Sequence, residues 1–230
     1  MTSFHFRRRK GAIAAVGLFA VLLCLFVGYL FWCGKDYARV QFSQEYWLLV
    51  RECEDTTASA IVGESYVLGG AGNLIEVNGA RVVALACYYT EREAKTVQRS
   101  MDGKGVATQI IPLSPEDLEL RGDSVSAEKR ILANTATADE CARILYDTAN
   151  GLERTECSQE EARAALKGVL SSLKGLQEGN GEEVFSLWNA ALESVWRRGE
   201  ETVQGILFAR DLRYLQVQLC ITVTNVKNYF

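Results

Sequence analysis

The stretch "NGARVVALACYYTEREA", residues 78–94, combines a turn, a strand and the start of a helix. Its opening Asn-Gly dipeptide favours a hairpin turn because both residue types tolerate positive φ angles. The β-branched and aliphatic residues of 81–88 predict one strand. Thr90 then predicts a helix N-cap, and Glu93 completes the pattern of a capping box. This unit therefore predicts a hairpin strand that leads directly into a capped helix.

The segments on either side extend the unit to a βαββαβ order, a split βαβ arrangement of the ferredoxin or RNP type. Further strands are predicted at 46–53, 73–77 and 106–113, and helices at 54–68 and 90–105. The sequence "GGAG" at 69–72 is predicted to end the first helix, because glycine adopts the left-handed conformation without a Cβ penalty. Right-handed crossovers place strands 46–53 and 80–89 at the centre of a four-stranded antiparallel sheet, with both helices on one face.

Alternation along the two central strands divides their side chains between two faces of the sheet. The residues expected to face the two helices are Leu48, Val50, Val82, Ala84 and Ala86. Those expected on the opposite face are Trp47, Leu49, Arg51, Arg81, Val83, Leu85 and Cys87. This second face is largely apolar. It therefore suits either a platform on which sugars stack or a surface covered by another part of the chain.

The C-terminal half changes to a helical period of three and four residues. A stripe of this period runs along one predicted helix through Ile131, Thr135, Ala138, Ala142, Leu145, Ala149 and Leu152. The sequence "SQEE" at 158–161 is a second capping box. Two more helices are expected, separated at about Gly199. Within them, Trp188 and Trp196 are candidate anchors, either of the core or of a docked partner. Short connections predict an antiparallel bundle, so the fold class is α+β.

The N-terminus has the pattern of a membrane anchor. Four cations at 7–10 precede an uncharged apolar run at 11–32, which is long enough to cross a hydrocarbon core of about 30 Å. A cleaved signal peptide would have a shorter apolar region. The excess of cations before the run places the N-terminus in the cytoplasm and the rest outside. The predicted order is a cytoplasmic tail at 1–10, a transmembrane helix at 11–32, a linker at 33–44, an α/β domain at 45–114 and a helical bundle region at 115–230.

Composition excludes several classes of function. The formal net charge is −4, and the cations of the tail lie outside the ectodomain, so nucleic acid is not an expected partner. The one histidine, His5, belongs to the tail, so no Ser-His-Asp triad or histidine-ligated metal site is expected in the ectodomain. The seven cysteines include no C-x-x-C pair. We therefore expect a protein that is not an enzyme and has no cofactor or metal.

Four short motifs, "YWLLV", "GGAG", "NGARVVA" and "YTEREAKTV", give residues 45–114 a resemblance to the SPOR (sporulation-related repeat) family. Arg81 resembles the family's arginine at the start of the third strand, and Ala94 the alanine of its second helix. The resemblance implies a domain outside a single membrane anchor that binds peptidoglycan glycan strands stripped of their stem peptides, in cell division or sporulation. Leu49 stands where the family often has a glutamine.

Two functions follow as alternatives. The first is a membrane-anchored cell-wall protein that binds denuded glycan through the sheet. Its candidate binding residues are Trp47, Leu49, Arg51, Arg81, Val83 and Leu85. The second is a scaffold of the envelope machinery that does not bind glycan and that docks another envelope protein through the helical bundle. The leucine at position 49 favours the second.

Overall fold

The computed structural model describes residues 23–26, 37–54, 56–77, 79–181 and 183–230. Within these ranges the chain is α+β, with a four-stranded sheet, a two-stranded sheet and a helical bundle. The strands are β1 (Tyr37–Val40), β2 (Tyr46–Glu52), β3 (Asn73–Val77), β4 (Ala80–Tyr88), β5 (Gln109–Leu113) and β6 (Leu118–Arg121). The helices are α1 (Ala58–Val67), α2 (Glu91–Asp102), α3 (Glu128–Glu153), α4 (Gln159–Gly179), α5 (Ser186–Val203) and α6 (Ala209–Thr224).

The larger sheet has the predicted topology. Its strand order is β3-β4-β2-β5, and each neighbouring pair is antiparallel. The two strands predicted to be central, β2 and β4, are central. A second sheet pairs β1 with β6. The predicted linker at 33–44 thus contains a strand, whose four residues are too few to show alternation.

The predicted turn and cap signals are found where the structure describes them. Gly69 has a φ of +76° and follows the end of α1, as expected for a helix-terminating glycine. Thr90 Oγ1 accepts a hydrogen bond from the Glu93 backbone N–H at 3.3 Å and donates one to its carboxylate at 2.7 Å. Ser158 forms the complete capping box at the start of α4. Asn78 lies outside the described residues.

A β-bulge in β4 changes the predicted alternation. Leu49 lies opposite Ala86 and Val50 lies opposite Ala84, so Leu85 has no partner on β2. Leu85 and Ala86 therefore belong to one hydrophobic cluster, while Cys87 returns to the cluster on the other face. The prediction that Ala86 shares a face with Ala84 is wrong, because strict alternation fails where one extra residue is inserted.

The assignment of helices to the two faces is also reversed. Leu49 packs in a small cluster with Ala94 of α2, whereas Leu48 and Val50 belong to the main core with the bundle. Alternation separates two faces but does not tell which helices cover which face when both are apolar. The expectation that Leu48 and Val50 face the two helices of the βαββαβ unit is therefore wrong.

Helix α6 holds the bundle against the sheet. It contacts β4 and β3, and the Gln216 amide donates a hydrogen bond to the Cys87 carbonyl at 2.8 Å. The Asn73 amide donates to the Tyr214 carbonyl at 3.3 Å. From α3, Asp139 accepts a hydrogen bond from the Tyr46 hydroxyl at 2.7 Å. One core cluster therefore runs from the sheet into the bundle.

Gly199 does not separate two helices, because α5 continues through it to Val203. A Cβ at this position would lie 2.4 Å from Cδ2 of Leu170 in α4. The glycine instead allows α4 and α5 to approach closely. The chain leaves the helical conformation after Val203, and α6 begins at Ala209.

In the part of the chain that the structure describes, no helix is both long and apolar enough to cross a membrane. The predicted span at 11–32 lies outside that part, except for residues 23–26, which are helical.

Candidate functional site

The six residues proposed for glycan binding do not form one exposed surface. Leu49 and Val83 are fully buried, and Leu85 is 2% exposed. Arg51 is half-buried and forms an ion pair with Glu64 of α1, with 2.7 Å between Nη1 and Oε2. The remaining two residues do not form a continuous surface. Trp47 is half-buried against the small cluster, and Arg81 is exposed on β4. Helices α1 and α2 cover the face to which Leu49 belongs.

The two tryptophans proposed for partner docking belong to the bundle interior. Trp188 has no exposed surface and packs edge-on against Tyr229, with ring centroids 5.8 Å apart. Trp196 is half-buried and packs against the main core. Both are therefore core anchors, and neither presents its ring as a free surface.

The structure contains a cleft of about 570 Å³ that the sequence did not predict. We call it the interhelical cleft, because it lies where α2, α3, α6 and the turn after α1 meet over the sheet. Its floor consists of Leu49, Leu85, Ala86 and Tyr88. Its walls include Gly69, Arg92, Glu93, Thr96, Val97, Ser100, Met101, Lys104, Tyr146, Asn150, Glu153, Arg154 and Arg213.

Arg213 of α6 joins three of the elements around the cleft. Its guanidinium binds both carboxylate oxygens of Glu153 on α3, with 2.7 Å between Nη1 and Oε1. Nη1 also donates to the Gly69 carbonyl at 2.8 Å, and Nη2 donates to Oδ1 of Asn150 at 3.3 Å. Bonding to Arg213 lowers the pKa of Glu153 below its ordinary value, so this carboxylate is charged at neutral pH. This network fixes the wall of the cleft across both halves of the chain.

Two tyrosines contribute aromatic surface. Tyr88 of β4 and Tyr146 of α3 form an edge-to-face pair with ring centroids 6.1 Å apart. Burial raises the pKa of both phenols, so both stay neutral at physiological pH. Such rings offer a flat apolar surface together with a hydroxyl group that donates and accepts hydrogen bonds.

The rim of the cleft carries positive charge. Arg92, Lys104 and Arg154 are exposed, and within the described residues none has a carboxylate at ion-pair distance. Glu93 shares the lining, but its carboxylate accepts the hydrogen bond from the Thr90 hydroxyl. The cleft thus combines an apolar floor, two aromatic rings and a cationic rim.

The combination of an apolar floor, two aromatic rings and a cationic rim is suited to binding a ligand. The lining contains neither histidine nor cysteine. Among the described residues, no group of three or more histidine, cysteine or acidic side chains could hold a metal ion. Hydroxyl groups of Thr96 and Ser100 line the wall, and the Thr96 hydroxyl donates a hydrogen bond to the Arg92 carbonyl at 2.8 Å. The arrangement can orient a ligand through its charge and its apolar part.

Comparison with known protein families, curated proteins and solved structures returns no match for this chain. The similarity of residues 45–114 to the SPOR family therefore remains a resemblance of short motifs.

Proposed function

We propose that this chain is a single-pass, membrane-anchored, extracytoplasmic scaffold of a bacterial envelope, which acts in division or sporulation by binding another envelope protein. In this proposal the SPOR-like module does not bind glycan. The observation that carries the proposal is the cover over both faces of the sheet. Helices α1 and α2 lie on one face and α6 lies on the other.

Opening the sheet to a glycan strand would have a large cost. The face under α6 includes Leu48, Val50 and Val82, each at most 2% exposed. Exposing one such side chain to water costs about 1.5–3 kcal/mol. Displacing α6 would also break the hydrogen bonds that Gln216 and Asn73 form across this interface. Glycan binding would have to offset all of these losses.

Exposed apolar side chains supply a positive reason to expect a protein partner. Tyr66 at the end of α1 is 37% exposed, and Phe208 before α6 is 48% exposed. The Arg210 guanidinium lies over both rings, 5.8 Å and 4.7 Å from their centroids. Ile206, two residues before Phe208, is exposed as well. Clustered apolar side chains on a surface are typical of protein interaction sites.

The first test is sedimentation of the ectodomain, starting at Gly34, with cell-wall sacculi that are either intact or treated with an amidase. We expect no co-sedimentation with either preparation. An increase in binding on amidase treatment would overturn the proposal and restore glycan binding. The comparison isolates denuded glycan because the amidase removes only the stem peptides.

The second test places a photo-crosslinking amino acid at Phe208 of the full chain in the cells that produce it. We expect one discrete protein adduct. The matched control carries the same amino acid at Leu132 of α3, which is exposed but lies on another element. Equal labelling at both positions, or no protein adduct at position 208, would contradict docking at this surface.

A further inference from the structure

The interhelical cleft concentrates cations on an acidic protein. Its lining contains four cationic and two acidic side chains, whereas the chain as a whole carries a formal charge of −4. One of the acidic side chains, Glu153, is neutralised by both nitrogens of the Arg213 fork. Because acidic residues outnumber basic ones in the rest of the chain, the local excess of cations is particular to the cleft.

Three of these cations, Arg92, Lys104 and Arg154, form no ion pair within the described residues. Arg92 and Lys104 lie at opposite ends of the α2 segment, and Arg154 directly follows α3. All three side chains line the same cleft. Lys104 and Arg154 act on Glu153, which Arg213 already binds on both oxygens, so the rim keeps an excess of positive charge that a bound anion would reduce. The positive charge of the rim therefore indicates a negatively charged ligand.

The residues of the cleft floor indicate that the ligand also has an apolar part. Leu49, Leu85 and Ala86 form an apolar base, and Val97 and Met101 of α2 continue it up one wall. Pockets for small ligands usually enclose roughly 300–1,000 Å³ and combine apolar lining with a few polar groups. The 570 Å³ of the cleft falls in that range.

We propose that the interhelical cleft binds a small organic anion. The apolar or aromatic part of the ligand packs on Leu85 and Met101, and its acidic group lies at the cationic rim beside Lys104 and Arg154. The ligand class is an amphipathic carboxylate or phosphate monoester. This site is independent of the scaffold function, because it lies neither on the α6 face of the sheet nor at Phe208.

The test uses ¹⁹F line broadening with the full chain in a neutral detergent and empty micelles as the blank. The probes are 4-fluorophenyl phosphate and 4-fluorobenzoate, which distinguish a phosphate from a carboxylate ligand. Neutral 4-fluorobenzyl alcohol is the matched comparator. We expect saturable binding of at least one anion with a Kd of about 1 mM, as small ligands commonly show. The alcohol should bind at least about tenfold more weakly, and added salt should weaken only the anion.

Two variants locate the site. Lys104→Glu should raise the Kd of the anion at least about tenfold, because it reverses one charge on the rim. Lys167→Glu makes the same change on exposed α4 surface outside the cleft and should leave the Kd unchanged. Ser100→Trp should block all three probes by filling the space above the floor. Circular dichroism of each variant checks that the fold is intact.

Each remaining outcome overturns the proposal. These outcomes are the absence of saturable binding by either anion, equal affinity for the anions and the alcohol, and equal effects of the changes at positions 104 and 167. If Ser100→Trp fails to fold, the comparison of Lys104→Glu with Lys167→Glu still decides, since both positions are exposed.

Discussion

Replacing Leu48 by alanine tests the central structural claim, that the sheet and the bundle share one core. Leu48 is fully buried and lies in the core cluster that extends into α6. Leucine-to-alanine changes in such positions cost about 2–5 kcal/mol, and the cost rises when the surroundings cannot collapse into the cavity. The hydrogen bond from Gln216 to Cys87 ties α6 to the sheet beside this face. We therefore expect a loss of about 3–5 kcal/mol in the free energy of unfolding.

The assay is urea unfolding of the ectodomain, followed by two signals. Far-UV circular dichroism reports mainly on the bundle helices, and fluorescence reports on Trp47 in the sheet together with Trp188 and Trp196 in the bundle. Because the core is continuous, both signals should shift to the same lower midpoint in Leu48→Ala. The control is Leu187→Ala on α5, whose side chain is 59% exposed, and its effect should be within about 0.5 kcal/mol.

Two results would refute this reasoning. One is a loss below about 1 kcal/mol, which is typical of a partly exposed side chain rather than a core leucine. The other is a fluorescence transition in two phases, with an early phase from Trp47 while the helical signal keeps its midpoint. That second result would show that the sheet unfolds separately from the bundle.

Three further predictions concern other parts of the chain. In thermal unfolding, Gly199→Ala should destabilise by about 1–2 kcal/mol because its Cβ meets Leu170, whereas Gly168→Ala, with open space around its Cβ, should stabilise by up to about 1 kcal/mol. Burial raises the pKa of Tyr46 and Tyr89 above the ordinary 10.0, so the folded state holds both phenols neutral while the unfolded state ionises. Denaturant titrations should show stability falling as pH rises above 10, by about 1.4 kcal/mol per tyrosine at pH 11. Alkaline carbonate should leave the full chain in the membrane fraction and release a variant lacking residues 1–33; release of both would contradict the anchor.

The topology of the larger sheet was predictable because its signals are local. Asn-Gly, the glycine run after α1 and the Thr90 cap each act within a few residues. They separate strands that are rich in β-branched and aliphatic residues. The bulge at Leu85 has no comparable signal, since "VVALAC" is apolar at every position. A run with apolar residues at every position also cannot show which face a given helix will cover.

The interhelical cleft depends on contacts between distant segments, so the sequence could not predict it. Its lining extends from Leu49 to Arg213 and comes from the sheet, three turns and three helices. One local signal existed, because Arg213 lies between the apolar residues Leu212 and Leu215, which predict the buried face of the helix. A buried arginine requires a partner, but only the fold shows that the partners are Glu153 and Gly69.

The positions of Leu48, Leu49 and Val50 in the structure change which residues support the scaffold function. A leucine at position 49, where the SPOR family often has glutamine, favoured that function on the assumption that Leu49 lies on the open face of the sheet. In the structure Leu49 lies under α2, where a glutamine amide would be buried at a cost of about 1–3 kcal/mol unless it found a partner. Leucine there is explained by packing alone. The case against a glycan platform rests instead on Leu48 and Val50, which lie on the opposite face and are buried in the core cluster that the sheet shares with the bundle.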